Sequence, residues 1–159
     1  TSCNGGQGNE AVEIGFQHVN KQIASGTDVA QVILIGDMPP NTTDDVTSNR
    51  SNHEDYYAKT EYRVKTHFEP ELQKLISKKV PVHAFYVKHK RAEDSFKDIA
   101  RRSGGESAFL EIQNENGAAM LTDLVTSKIL KSCAGQDVQL AAQLESAYRA
   151  KFCRSGFVA

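Results

Sequence analysis

The chain has 159 residues, the size of one ordinary domain. Its 39% apolar and 25% charged residues exclude a disordered or fibrous chain. Nineteen Lys and Arg against twenty Asp and Glu leave a net charge of −1, which excludes a general attraction to nucleic acid or to an anionic membrane. The longest apolar stretch, Val29 to Gly36, is far too short to cross a bilayer, and no secretory apolar region opens the chain. It begins with Thr1 rather than Met and so reads as a processed or cut piece of a larger protein. Cys3, Cys133 and Cys153 are an odd, widely spaced set with no CxxC pair, which speaks against structural zinc and against a disulfide framework. Free thiols in a reducing compartment, and hence a cytoplasmic or otherwise intracellular setting, are the expectation. Asn41-Thr42-Thr43 and Asn49-Arg50-Ser51 match the glycosylation acceptor pattern, a triplet that recurs by chance.

Three glycines within Gly5-Gly6-Gln7-Gly8 predict a turn. Asn9 then reads as a helix N-cap, with Glu10 in the first turn and Val12, Phe16, Val19 and Ile23 on one face, ending at Ser25-Gly26. Val29 to Ile35 is a β-branched run closed by Gly36-Asp37, the pattern of a strand buried on both faces of a parallel sheet. The polar stretch from Asn41 to Asn52 reads as an exposed loop. Glu54 to Phe68 is helix-compatible, with Tyr57, Glu61, Val64 and Phe68 on one side. Pro70 opens a second helix that turns Leu72, Leu75 and Ile76 inward. Val80 to Val87 is the second strand. Ser95 to Arg102 is a short helix with Phe96, Ile99 and Ala100 inward, stopped by Gly104-Gly105. Ser107 to Ile112 is the third strand. Ala118 to Leu130 is a helix carrying Met120 or Leu121, Leu124, Val125 and Ile129. Val138 to Phe152 is the last, with Leu140, Leu144, Tyr148 and Phe152 as its core stripe.

Strands alternating with helices imply parallel pairing through right-handed crossovers. The expected fold is therefore α/β: a three-layer, mostly parallel sheet with helices on both faces, in a single domain over 1–159 whose residues 133–159 form a C-terminal helical extension. Only three strands are visible, and a complete doubly wound domain would place another before the first helix. The edge of the Val32 to Ile35 strand is then left unpaired and open to self-association or to a partner's strand.

Several pieces together resemble the later half of a von Willebrand factor A-type (vWA) domain of the intracellular, alpha-kinase-associated variety. They are the turn into an acidic helix, Asn4-Gly5-Gly6-Gln7-Gly8-Asn9-Glu10-Ala11-Val12, the strand end Leu34-Ile35-Gly36-Asp37-Met38-Pro39-Pro40, and the strand Val80-Pro81-Val82-His83-Ala84-Phe85-Tyr86-Val87. Phe96-Lys97-Asp98-Ile99-Ala100, Ser103-Gly104-Gly105, Leu110-Glu111-Ile112 and Gly117 to Asp123 continue the likeness nearly to the end. The resemblance implies a protein–protein interaction module. It also implies a degenerate metal-ion site in which Asp37 is a ligand and Thr1, Ser2 and Cys3 compete for a second position, completed in the family by a partner's acidic side chain. The family's central strand ends in Asp-x-Ser-x-Ser, a motif this sequence lacks. The implied cofactor is therefore none as the chain stands, and Mg2+ or Mn2+ once that motif is supplied.

Parallel α/β sheets bind at the carboxyl ends of their strands. The partner surface is thus expected at Gly5, Gly6, Asp37, Met38, Asn41 and His89, with no part for nucleic acid or membrane. A non-catalytic domain of a larger kinase- or ligase-like enzyme is the second reading. A small hydrolase or nucleotide-binding domain is the third, although the sequence has neither G-x-S-x-G nor Gly-Lys-Ser/Thr. His53-Glu54-Asp55 and Lys88 to Arg91 read as solvated loops, His83 as a sheet-face histidine, and Arg101-Arg102 as helix C-terminal charge.

Overall fold

The computed structural model describes residues 8–87, 90–111 and 116–153. The alternating apolar runs form a parallel three-stranded sheet in the order β1 (Val32–Gly36), β2 (Val82–Val87), β3 (Ser107–Leu110). Val32 pairs with Val82 and Ala84 with Ser107. The connections are helical. Helix α1 (Val12–Ala24) precedes β1. Helices α2 (Thr43–Asn52), α3 (Glu54–Ala58) and α4 (Phe68–Ser77) lie between β1 and β2, and α5 (Glu93–Ser103) lies between β2 and β3. Helices α6 (Gly117–Ala134) and α7 (Val138–Lys151) follow.

Side chains alternate across a strand, so β2 serves two apolar clusters. Val82, Ala84 and Tyr86 join Val12 and Phe16 of α1, Leu72 and Leu75 of α4, and Phe96, Ile99 and Ala100 of α5. Phe85 and Val87 join Leu110 of β3 and Leu124 of α6. Between α5 and β3, Gly104 caps the helix at φ 79°, a conformation that suits glycine. A Cβ at Gly105 would stand 2.0 Å from the Val82 carbonyl oxygen, so a side chain there would break the contact between α5 and the sheet.

The structure corrects four local expectations. Residues 43–52 are helical rather than loop, because Thr42 and Asp45 form a capping box. The Thr42 hydroxyl accepts the Asp45 N–H at 3.1 Å, and the Asp45 carboxylate accepts the Thr42 N–H at 2.8 Å. Asn9 does not cap α1. Its amide donates to the Asp45 carboxylate at 2.9 Å, and Glu10 stays outside the helix. The helix expected over 54–68 stops at Ala58. Beyond it the Thr60 hydroxyl donates to the Tyr57 carbonyl, Lys21 takes the Glu61 carbonyl and Arg50 takes the Tyr62 carbonyl, all in competition with helix bonds. The α7 stripe is not core. No α7 residue is buried and Phe152 is 56% exposed, because α7 rests on α6 alone among the elements it contacts closely.

Helix α6 buries Leu124 as expected but not Ile129. Ile129 is 47% exposed while Lys128 is buried. The polar residues on the buried face all find partners. Lys128 pairs with Glu106, Ser127 donates to Glu145, and Tyr148 donates to Asp123 at 2.7 Å. No helix among the described residues is long and apolar enough to cross a membrane.

Candidate functional site

β1 is apolar on both faces, yet it lies at the edge of the sheet. No charged residue or proline interrupts Val29 to Gly36, although edge strands are ordinarily protected by such residues. The strand is only half-buried, and Ile35 is 40% exposed. This corrects the expectation of a strand buried on both faces and agrees with the expected open edge. The Val32 N–H donates to Pro81 at 2.9 Å, so residues 32, 34 and 36 turn their backbone groups toward β2. The N–H and C=O groups of Ile33 and Ile35 therefore point to the open side, where no described residue pairs with them.

Beside that edge lies a groove of about 600 Å³ between α1 and β1. Val12, Phe16 and Val19 form one wall, Val32 and Leu34 the other, and Phe96 the floor. Helix α1 packs closely on α4. Gly15 also lines it, and a Cβ there would meet nothing within 4 Å. The carboxyl end is bordered by the chain entering α1. Glu10 donates its N–H to Pro39 at 2.9 Å and accepts the Asn41 N–H at 2.8 Å, a parallel bridge between Glu10 and Pro40. Glu10, Asp37 and Met38 surround this mouth.

The residues singled out from sequence are thus partly gathered. Asp37 and Met38 stand at the groove mouth. Asn41 is buried, its amide donating to Glu13 Oε1 at 3.1 Å, so the Asn41 acceptor triplet is closed off by folding. Thr1, Ser2, Gly5, Gly6 and His89 lie outside the described residues. Among the described residues no three His, Cys, Asp or Glu side chains gather to hold a metal, and of the expected ligands only Asp37 is among those residues.

Sequence reading missed two polar clusters. Glu13, in the first turn of α1, borders a polar pocket of about 470 Å³ with Asn41, Asp45, Arg50 and His53. Burial pushes its carboxyl above the usual range, against the Asn41 bond and the charges of Arg50 and His67. The signal was an acidic residue on the Val12–Phe16 face. Beside the amino ends of β2 and β3, His83 accepts the Glu106 N–H at 3.2 Å while Glu106 holds Lys128. Burial first, then the Lys128 charge, hold the His83 imidazole below its ordinary value. No periodic signal marks Lys128, because its burial depends on Glu106, a residue 22 positions away.

Compared with known proteins, the chain matches no family model, no curated protein and no solved structure.

Proposed function

We propose that this domain is a protein–protein interaction module that receives an apolar strand of another polypeptide alongside β1. One observation carries the reading: a strand with the composition of a sheet centre stands at a sheet edge, beside an apolar groove roofed by α1. Main-chain bonds to Ile33 and Ile35 would supply affinity, and alternate side chains would enter the groove or cover Ile33 and Ile35. On this reading the fold is the later part of a three-layer vWA-type domain in an intracellular protein, and the added strand occupies the place of the family's central one. Docking runs through strand pairing, and no step is assigned to a metal.

The test is amide exchange read at Ile33 and Ile35 while a capped peptide, Ser-Thr-Val-Val-Leu-Val-Gly-Lys, is titrated in. Both amides are expected to exchange fast in the free domain and to slow at least tenfold on binding. Gly15→Leu, which fills the groove from the α1 side, is expected to abolish that protection with the fold intact by circular dichroism. Protection that is the same in Gly15→Leu, or none in the wild type, would overturn the reading.

A further inference from the structure

The polar pocket of about 470 Å³ adjoins the strand groove, and Glu10 and Ala11 line both. Two of its side chains carry opposite charges, and each is only half-paired. Glu13 is 4% exposed. Its Oε1 accepts the Asn41 amide at 3.1 Å, while its Oε2 is buried with no hydrogen-bond partner. Arg50 lies over the Tyr57 ring at 3.8 Å and donates through Nη1 to the Tyr62 carbonyl at 2.7 Å, while its Nη2 is buried and unpartnered. The two spare atoms do not bond to each other, so the pocket wall offers two separate points of opposite sign. Both are held in place from behind, Glu13 by Asn41 and Arg50 by Tyr57 and Tyr62. Asn49 and His53, both exposed, line the pocket as well.

We infer that this pocket takes a small zwitterion of the amino-acid class, its ammonium group on Glu13 and its carboxylate on Arg50. Buried ionic atoms without partners are costly, and each such atom in a native fold calls for something that pairs with it. A phosphate or other simple anion would gain Arg50 but meet the Glu13 carboxylate. A simple cation would gain Glu13 but meet the guanidinium. Water can hydrogen-bond to both atoms and neutralises neither. A molecule carrying both charges matches both at once and keeps the net charge of the pocket unchanged. Burial holds the Glu13 carboxyl above its usual range, and an ammonium beside Oε2 favours the charged form again. The inference is independent of strand addition at β1.

Thermal unfolding of the intact domain with each of the common amino acids at millimolar concentration tests the inference. At about ten times its dissociation constant, a true ligand is expected to raise the midpoint by roughly 3 °C. Calorimetry then compares the best of them with its own amine, which lacks the carboxylate, and its own acid, which lacks the ammonium group. Each half is expected to bind at least about tenfold more weakly than the whole. Glu13→Gln keeps an acceptor for Asn41 and removes the charge. It should weaken the amino acid by a similar factor while leaving the binding of the acid analogue no weaker, a split that general loosening of the fold would not produce. Should that variant fail to fold, Asn49→Trp, at an exposed lining position, is expected to block the pocket and abolish binding. A midpoint unmoved by every amino acid would leave the pocket to water and overturn the inference. So would analogues that bind as well as the whole, or binding that survives Asn49→Trp unchanged.

Discussion

His83 accepts the Glu106 N–H through Nδ1, a bond that requires this nitrogen to be unprotonated. Burial and the nearby Lys128 lower the affinity of the folded state for that proton. A depressed folded value means that the stabilising contribution is complete above the unfolded value near 6.5 and declines as pH falls from there through the folded value. The urea midpoint should therefore drop between about pH 7.5 and pH 5, and His83→Gln should flatten the drop. An equal slope in both proteins would count against this role. Reading His83 as a sheet-face histidine was possible from its place in an apolar run. Its partners were not legible, because Glu106 and Lys128 reach it through the packing of β3 and α6 on β2.

At the scale of elements, periodicity and caps were the readable signals. The face Val12, Phe16, Val19, Ile23 placed α1, Pro70 placed the start of α4, and Gly104 placed the end of α5. Helix α2 has one buried apolar residue, Val46, so its sequence carried little periodicity, although the Thr42–Asp45 capping box was there to be read. Gly15 sits mid-helix, where glycine costs about 0.5–1 kcal/mol relative to alanine. A Cβ there would touch nothing. Gly15→Ala should accordingly raise unfolding stability by about that amount in chemical denaturation, and so identify a residue kept small for something other than stability. A destabilised Gly15→Ala would show instead that the groove is closed in solution.

On the scale of the whole molecule, the β1 edge, uncovered among the described residues, predicts reversible self-association when no partner strand is present, since two copies can join edge to edge. Sedimentation at rising concentration should show it, and the strand peptide should suppress it by occupying the same edge. Ile35→Lys places a charge on an exposed edge position and should leave a monomer with stability changed by no more than about 0.5 kcal/mol. Wild-type protein that stays monomeric at high concentration would remove this prediction, as would an Ile35→Lys variant that associates equally well.

Local chemistry by itself determined the α/β class, the three strands and most of the helices, because apolar period, glycine stops and proline starts act within a few residues of where they are read. The β-branched run at 32–35 also announced a strand meant to be covered on both sides. Only the tertiary structure decided that β1 stands at an edge among the described residues, that a groove lies between α1 and β1, and that Glu10 and Asp37 both border it. It likewise buried Lys128 and left the α7 stripe in view. Those outcomes depend on which distant segments meet, and a charge is buried or an apolar stripe exposed according to a partner that no local pattern encodes.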